Sequence, residues 1–317
     1  MAPSLPNAFA ARKNRPIVVG HRGVPTVHQE NSLAGFRRAV QLGIPAVELD
    51  VRLTRDHVPV VVHDDNLSRL TGVNENVSEL TWDQLSRLRI RRDLPIGYDT
   101  YGSPKLVHYD KPEPIPQLTE VLGEVGGKVL INIELKLDFP KWWHVEIGAV
   151  VARVIGDAML EDRVIITSFD PRKLRAAGRV SHRLALGFCF DDGMLNWARG
   201  VLDRLPFLRT DHGVDDRRPG HNARSLLTRL LDTDLAGFLL GTRVVGAEHT
   251  LVGPKTVQRL HRLGVAIGTH TLFPLGASTS KRISPAATST AEVDRLVALG
   301  VDWIETDDPE RLMRLVG

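Results

Sequence analysis

Strand-like apolar runs alternate with helical patterns along most of the chain, and this alternation constrains the fold more than any other feature. The runs are rich in β-branched residues and cover residues 17–20, 46–51, 58–62, 128–135, 163–168, 183–189, 235–240, 265–269 and 301–306. Helical patterns cover residues 32–42, 81–88, 118–122, 145–155, 171–177, 226–231, 254–263 and 291–299. Repetition of a strand followed by a helix is typical of a parallel sheet with helical crossovers.

The number of strands limits how such a sheet can close. At 317 residues the chain is long for one ordinary domain, but α/β barrels of about 250 residues with insertions are common single domains. The nine candidate strands are one too many for an eight-stranded barrel, and the gap between residues 51 and 58 is too short for a helix. Either that crossover is extended, or one run is not a barrel strand.

Composition excludes several classes of protein. Apolar residues make up 42% of the chain, which is enough for a large core, and the net charge is +3. Because no Lys/Arg block exceeds the short run at 89–92, we expect no nucleic-acid partner. The single cysteine, Cys189, excludes an internal disulfide, and we predict that it is a small core residue.

The N-terminal segment lacks the pattern of a signal peptide. Residues 1–14 contain Arg12 and Lys13 without an apolar stretch before them, so we expect no signal peptide. No run of about 18 apolar residues occurs, so we expect no transmembrane helix and a cytoplasmic location. We predict a tail at residues 1–15, either loose or forming an extra arm. The predicted domain then covers 16–317, with an insertion at about 66–116.

Three segments lack periodicity and are predicted to be surface loops. They are residues 92–116, 203–224 and 271–290, which are rich in Pro, Gly, charged or small polar residues. The last follows the carboxyl end of a strand, so it either roofs a site or is an ordinary long loop.

Acidic side chains stand at or near the ends of two predicted strands. Glu48 and Asp50 are two residues apart, so a strand directs both to one side, about 7 Å apart. Glu134 offers a third carboxylate in an equivalent position. Three carboxylates without a cysteine or a close histidine pair favour a hard cation, Mg²⁺ or Ca²⁺, over Zn²⁺. In the alternative interpretation, the acids pair with Arg22, Lys136 or Arg52.

Two cations and two histidines complete this group. Lys136 lies two residues after Glu134 and faces the same side, and Arg22 follows His21 directly. Two cations beside a metal would form a site for an anion, most simply a phosphate. His21 and His63 end two different strands and could act as base and acid on opposite sides of a phosphorus atom.

The order of these residues resembles the glycerophosphodiester phosphodiesterase family. The resemblance rests on His21-Arg22-Gly23, Glu30-Asn31-Ser32, Glu48-Leu49-Asp50-Val51 and Pro59-Val60-Val61-Val62-His63-Asp64, followed by Asn66-Leu67-Ser68-Arg69-Leu70-Thr71-Gly72, Ile133-Glu134-Leu135-Lys136 and Glu305-Thr306-Asp307-Asp308-Pro309. It extends from about residue 16 to 315, and the first motifs are highly specific. The resemblance implies an α/β fold, a TIM (β/α)8 barrel with a small insertion and long βα loops.

The resemblance also implies roles for individual residues. His21 and His63 would be the acid/base pair, and the metal ligands would be Glu48, Asp50 and Glu134. The implied cofactor is one divalent cation, Ca²⁺ or Mg²⁺. The implied substrate- and phosphate-binding residues are Arg22, Lys136, Glu30 and Asn31, of which the last two also support the site.

The implied reaction is hydrolysis of glycerophosphodiesters, such as glycerophosphocholine or glycerophosphoethanolamine, to glycerol 3-phosphate and an alcohol. In the family, the 2-hydroxyl of the substrate is thought to attack first, and water then opens the cyclic phosphate. Two alternatives stay open: head-group release from lysophospholipids at a membrane surface, as by a lysophospholipase D, or a non-catalytic barrel that binds phosphoesters. The expected partner is a small-molecule substrate. Membrane contact and oligomeric state stay open.

One departure from the family pattern affects the substrate. Family members usually carry Trp-Thr-Val-Asn at the end of the seventh barrel strand, where this chain has Gly268-Thr269-His270-Thr271. The tryptophan usually walls the glycerol, so His270 or the following loop would have to replace it. Glu305 also stands where an apolar residue is common. Trp142 and Trp143, in the loop after Lys136, are minor candidates for substrate contact.

Overall fold

Eight parallel strands form a closed barrel at the centre of the protein. The computed structural model describes residues 7–9, 15–137, 145–191, 194–195, 221–233, 237, 241–276, 283 and 286–317. Its strands are β1 (Ile17–Gly20), β2 (Ala46–Leu53), β3 (Pro59–Val61), β4 (Arg89–Ile90), β5 (Asp93–Tyr98), β6 (Pro104–His108), β7 (Glu113–Pro114), β8 (Leu130–Leu135), β9 (Val164–Ser168), β10 (Ala185–Phe190), β11 (Val244–Glu248), β12 (Ala266–Leu272) and β13 (Trp303–Thr306).

The barrel strands follow the chain order, which is the topology of a TIM barrel. The order is β1, β2, β8, β9, β10, β11, β12 and β13, and every neighbouring pair is parallel. β1 pairs with both β2 and β13, which closes the sheet. The predicted α/β TIM barrel is therefore confirmed.

Helices follow most of the barrel strands and cover the outer face. They are α1 (Leu33–Gln41), α2 (Ser68–Thr71), α3 (Trp82–Leu85), α4 (Leu118–Val125), α5 (Ile147–Asp157), α6 (Pro171–Val180), α7 (His221–Thr233), α8 (Pro254–Arg262), α9 (Thr290–Leu299) and α10 (Pro309–Val316). Side-chain caps determine where several begin. The Ser32 hydroxyl accepts from the Gly35 amide, and Thr81 and Gln84 form a reciprocal capping box.

The ninth predicted strand lies outside the barrel. The run at 58–62 contains β3, which pairs antiparallel with the end of β2, matching Val51 with Val61. The connection from β2 to β3 is therefore a hairpin, which explains why residues 51–58 are too few for a helix. Of the two explanations that the sequence left open, the second is correct.

The prediction of a loop at 92–116 is wrong, because β5 and β6 form an antiparallel hairpin there. Pro95 and Gly97 hide the strand pattern in the sequence, but the edge position of the hairpin tolerates both residues. With α2, α3, β4 and β7, this hairpin encloses a small apolar core of its own around Leu67, Leu70 and Leu94. The insertion predicted at about 66–116 is thus a packed substructure.

The strand predicted at 235–240 lies largely outside the described residues, and the barrel strand in its place in the order is β11. Residues 203–220 of the second predicted loop also lie outside them, and residues 221–224 begin α7 instead. In the segment 271–290, β12 continues to Leu272, a 3-10 turn spans Ala286–Thr288, and residues 277–282, 284 and 285 are not described.

The amino ends of the barrel strands enclose an apolar plug. Phe9 is fully buried there and meets Trp303 edge to face, with ring centroids 5.8 Å apart. The Asn7 Nδ2 donates to Val164 O at 2.8 Å. Residues 7–9, predicted to be part of a loose tail or an extra arm, therefore close one end of the barrel. None of the described helices is long and apolar enough to span a membrane.

Candidate active site

Inward-facing positions at the carboxyl ends of the strands bring the predicted site residues together. Glu48 and Asp50 lie on β2, and the parallel pairing with β8 places Asp50 beside Glu134. His21 follows β1 directly, and its amide donates to Thr306 O at the end of β13 at 2.9 Å. The site therefore occupies the end of the barrel at which TIM-barrel active sites form.

Three carboxylates converge at this mouth as the sequence predicted. One oxygen from each of Glu48, Asp50 and Glu134 lies within 4.8 Å of the others. Glu48 and Asp50 are 1% and 0% exposed. Glu48 Oε1 and Asp50 Oδ1 are buried and accept no hydrogen bond from any described residue. Buried carboxylate oxygens without donors are costly, and a hard divalent cation is the partner that such oxygens prefer, so the residues fit one.

The three negative charges oppose one another. Burial and the nearby Asp50 carboxylate raise the pKa of Glu48 well above its usual range. Burial also acts to raise the pKa of Asp50, but Lys136 and Arg22 outweigh it and hold that pKa well below its usual range. A bound cation would favour the ionised form of both groups.

Arg22 and Lys136 both reach the carboxylates. Arg22 Nε lies 3.1 Å from Asp50 Oδ2, while Lys136 Nζ lies 2.7 Å from Glu134 Oε1 and 3.3 Å from Asp50 Oδ1. The alternative interpretation, in which these cations pair with the acids, therefore holds for both. Glu48 Oε1 still has no hydrogen-bond donor among the described residues, so this pairing leaves a buried carboxylate oxygen of the cluster for a cation.

The third cation in that interpretation has another position. Arg52 Nε donates to His63 O at 2.8 Å, and its Nη1 donates to Leu137 O at 3.1 Å. The side chain thus joins the segment after β3 to the segment after β8. Arg52 supports the backbone beside two predicted site residues, His63 and Lys136.

The turn after β1 is strained in a way that serves the site. Arg22 adopts a φ of 56°, in the left-handed region, and the following Gly23 has a φ of 93°. A non-glycine residue in this region costs about 1–3 kcal/mol. The turn aims the Arg22 amide at Glu48 Oε2, at 3.0 Å. One residue therefore contacts Glu48 through its backbone and Asp50 through its side chain.

Each predicted catalytic histidine has a carboxylate at Nδ1. His21 Nδ1 lies 2.6 Å from Asp307 Oδ1, and His63 Nδ1 lies 2.7 Å from Asp64 Oδ1. A carboxylate at Nδ1 retains the ring proton there and leaves Nε2 for proton transfer. Burial, Arg22 and Lys136 lower the pKa of His63, which favours its neutral form.

Glu30 and Asn31 support other site residues, as the resemblance implies. Glu30 Oε1 accepts from Arg22 Nη1 at 3.0 Å. Burial would raise the pKa of Glu30, but the guanidinium groups of Arg69 and Arg22 lower it to about 2. Asn31 Nδ2 donates to Asp50 Oδ2 at 2.8 Å, and Asn31 Oδ1 accepts from the Asp50 amide at 3.2 Å. Asn31 thus orients a predicted metal ligand. Direct contact of either residue with substrate stays a prediction.

Three residues in the site were quoted in the motifs without a role. Asp64 and Asp307 hydrogen-bond the two histidines, and Arg69 binds Asp64. The sequence does contain a signal for the aspartates. Asp64 follows His63 directly, and Asp307 continues the inward alternation of Trp303 and Glu305 along β13. Arg69 carries no such signal, because its second partner, Glu30, lies 39 residues away along the chain.

Gly268 and Trp303 account for the departure from the family pattern. A Cβ atom on Gly268 would lie 1.7 Å from Trp303 Cε2, so the indole from the neighbouring strand occupies this volume. The Trp303 Nε1 donates to Glu305 Oε1 at 3.3 Å, and Asn132 Nδ2 donates to the same atom at 2.6 Å. Burial raises the pKa of Glu305 to about 7. Trp142 and Trp143 lie outside the described residues.

The β5–β6 hairpin extends over part of the mouth. Lys105 Nζ donates to Leu275 O at 2.8 Å, and the Leu275 amide donates to Asp307 Oδ2 at 2.7 Å. Gly276 lies against Ile96, since a Cβ atom on Gly276 would come within 2.2 Å of Ile96 O. The insertion therefore contacts the segment after β12, which the sequence suggested as a roof.

Comparisons with known proteins identify a family for the chain. A family model described as the glycerophosphoryl diester phosphodiesterase family matches residues 21–311. A glycerophosphodiester phosphodiesterase of Caldanaerobacter subterraneus subsp. tengcongensis is 28% identical over 301 residues, 95% of this chain and 97% of the relative. The human lysophospholipase D GDPD1 is 45% identical over 120 residues, 38% of this chain and 36% of the relative.

A solved structure has the same fold. It is a phosphodiesterase of Oleispira antarctica in complex with the product sn-glycerol-3-phosphate, with a TM-score of 0.65 and 19% sequence identity. The alignment covers 95% of this chain and 97% of that one. At this identity the likeness supports the barrel architecture.

Proposed function

Because the chain belongs to the glycerophosphoryl diester phosphodiesterase family, we propose that it hydrolyses glycerophosphodiesters with one divalent cation and the pair His21 and His63. The enzyme class, a glycerophosphodiester phosphodiesterase, follows from the family. The proposal adds the substrates, the metal and the residue roles. The observation that carries it is the convergence of three carboxylates at the barrel mouth, beside two histidines that each contact an aspartate.

Glu48, Asp50 and Glu134 would hold the cation, which is Ca²⁺ or Mg²⁺. When bound, it lowers the pKa of a coordinated oxygen and offsets negative charge on the phosphoryl group. Arg22 and Lys136 would bind the phosphate, because both cations border the carboxylate cluster and arginine matches a phosphate with two donors. Glu30 and Asn31 would orient Arg22 and Asp50.

We assign the role of first base to His63. Burial and two nearby cations favour its neutral ring, and Asp64 retains the proton at Nδ1. Its Nε2 would take the proton of the substrate 2-hydroxyl as that oxygen attacks phosphorus. His21 would give a proton to the departing alcohol oxygen as the P–O bond breaks. Water then opens the cyclic phosphate with the two roles reversed, which returns both histidines to their starting states.

A lysophospholipase D-like activity is the second candidate. Apolar side chains are partly exposed in segments that border the mouth: Val27 after β1 is 42% exposed, and Leu137 after β8 and Leu106 on β6 are each 48% exposed. Such residues could contact the acyl chain of a lysophospholipid. The partial identity to a lysophospholipase D is consistent with this candidate. A small-molecule partner is common to both candidates, and the expected cytoplasmic location stays a prediction.

The test compares product release under matched conditions. We expect glycerol 3-phosphate from glycerophosphocholine with added Ca²⁺ or Mg²⁺, little product after chelation, and little from His21→Ala. Lysophosphatidylcholine, assayed in parallel for choline release, separates the two candidates. Undiminished activity of His21→Ala would remove its acid/base role. Absence of turnover on both substrates would favour the non-catalytic barrel.

A further inference from the structure

One arginine of the insertion contacts both halves of the site. Arg69, on α2, donates through Nε to Asp64 Oδ2 at 2.6 Å. Its Nη1 and Nη2 donate to the two oxygens of Glu30, each at 2.8 Å. Nη1 also lies 3.3 Å from Pro95 O on β5. This guanidinium therefore joins the carboxylate behind His63 to the carboxylate behind Arg22.

We propose that Arg69 is a positioning residue for His63, and that it acts through Asp64. The proposal rests on the proposed function, in which His63 transfers a proton. Arg69 orients the Asp64 carboxylate, and this carboxylate in turn orients the His63 ring.

The need for this positioning follows from the flexibility of the aspartate. The terminal torsion of an aspartate side chain has a broad energy profile, so one hydrogen bond does not fix the plane of its carboxylate. Asp64 is held at both oxygens, by His63 Nδ1 on Oδ1 and by Arg69 Nε on Oδ2. With the carboxylate plane fixed, the ring has one preferred orientation and one preferred tautomer.

Glu30 fixes the guanidinium itself. The two parallel hydrogen bonds from Arg69 to Glu30 form a bidentate pair, which is the most geometrically specific contact that arginine makes. Glu30 is 6% exposed, so its carboxylate is a rigid anchor. The positioning contacts therefore begin at Glu30 and pass through Arg69 and Asp64 to His63. Their geometry depends on α2, so the insertion contributes to the catalytic arrangement.

The first experiment separates kcat from KM in Arg69→Gln and Arg69→Lys. Arg69→Gln loses the donors to both carboxylates, and we expect kcat to fall about 10- to 100-fold while KM changes less than about threefold. Arg69→Lys retains the charge and should lose less. Added guanidinium chloride at millimolar concentration should partly restore Arg69→Gln.

Arg87→Gln is the matched control, because Arg87 also lies in the insertion and bonds an aspartate, Asp83, at 2.6 Å, but both side chains are exposed. We expect its kcat to equal that of the wild-type enzyme. Thermal unfolding of every variant identifies any that fails to fold. If Arg69→Gln does not fold, Arg69→Lys takes its place in the measurements that follow.

A double-mutant cycle tests whether the effect passes through Asp64. We expect Arg69→Gln to lower kcat little further in an Asp64→Asn background. Full additivity of the two effects on kcat would overturn the proposal. So would a cycle in which Arg69→Gln couples to Glu30→Gln but not to Asp64→Asn, since Arg69 would then act on Arg22 instead.

A spectroscopic measurement keeps the proposal separate from the proposed function. In protein labelled with ¹⁵N-histidine, with His63→Gln used for assignment, His63 should carry its proton at Nδ1, and Arg69→Gln should mix the two tautomers. If the wild-type enzyme hydrolyses no glycerophosphodiester, the proposed function fails, but the change in the His63 tautomer can still be measured. An unchanged tautomer in Arg69→Gln would overturn the positioning role whatever the substrate.

Discussion

The two ends of the barrel interior are built from the same strands but have opposite chemistry. At the amino end, Trp303 and Phe9 pack with small and aliphatic residues. At the carboxyl end, Glu48, Asp50 and Glu134 converge within one cluster. β2 shows the change along a single strand, from buried Ala46 at its amino end to buried Asp50 four residues later.

This contrast indicates that the two ends contribute differently to stability and function. Burial of apolar surface stabilises a fold by about 25 cal/mol per Å². Buried like charges destabilise it unless a cation is present. The amino end should therefore carry stability with little direct effect on chemistry. The carboxyl end should carry chemistry and reduce stability in the absence of metal. Substitutions at each end can break or sharpen this division.

The largest effect should come from the histidines at the mouth. His63→Ala removes the proposed base, and we expect kcat to fall about 10²- to 10⁴-fold with little change in stability. His108→Ala is the matched control, because His108 Nδ1 also lies 2.7 Å from an aspartate, Asp93, but 68% of its side chain is exposed. Comparable loss in both variants, measured as initial rates on glycerophosphocholine, would contradict the division.

At the opposite end, Trp303→Ala should lower the free energy of unfolding by about 3–5 kcal/mol. The side chain is 1% exposed and packs on Phe9, so its removal leaves a large cavity. Tyr101→Ala is the control, since Tyr101 is 82% exposed, and we expect a change within about 0.5 kcal/mol. Denaturant unfolding measures both. A loss below about 1 kcal/mol in Trp303→Ala would show that the plug contributes little.

A smaller effect is expected where the two ends meet. Gly268→Ala places a methyl group against the Trp303 indole, and we expect a loss of about 1–3 kcal/mol in the free energy of unfolding. Gly156→Ala, in α5 with no atom near its Cβ position, should instead stabilise the protein by about 1 kcal/mol. In a Trp303→Leu background, Gly268→Ala should cost much less, because the smaller side chain leaves room for the methyl group. Equal stability of Gly268→Ala and the wild-type protein would contradict this packing.

The smallest effect, with the opposite sign, is expected at the metal cluster. Glu48→Gln removes one buried charge, so in chelator it should stabilise the protein by about 1 kcal/mol. With saturating Ca²⁺ the order should reverse, because only the wild-type protein gains full stabilisation from the ligand. Glu124→Gln, which alters an ion pair with Arg37 on the barrel surface, should show neither change. Destabilisation of Glu48→Gln in chelator would mean that the carboxylates already compensate one another without metal.

Most of the barrel strands could be predicted from the local sequence pattern. Apolar runs between helical patterns identified seven of the eight barrel strands, because buried parallel strands appear in a sequence as continuous apolar runs. The pattern predicted the strand before α8 at residues 235–240, because that segment is more apolar than β11, the barrel strand that precedes α8 in the structure. The pattern did not predict the β5–β6 hairpin, because a proline and a glycine interrupt the strand signal there.

The candidate site divides in the same way. Glu48 and Asp50 could be placed together from the sequence, because alternation along one strand directs both side chains to the same side. Arg69 could not be assigned a role, because its contacts join α2 to residues from two other segments. Nor could Trp303 be assigned to the space above Gly268, which depends on how adjacent strands align. Contacts between side chains from different segments cannot be predicted from the sequence pattern alone.

Calorimetric titration of chelator-treated protein with Ca²⁺ and with Mg²⁺ tests the central claim most directly, that the three carboxylates at the barrel mouth form one cation site. We predict a stoichiometry of one in the wild-type protein, and loss of that binding when Glu48→Gln, Asp50→Asn and Glu134→Gln are combined in a variant that still folds. Absence of binding in the wild-type protein, or equal affinity in the triple variant, would contradict the account.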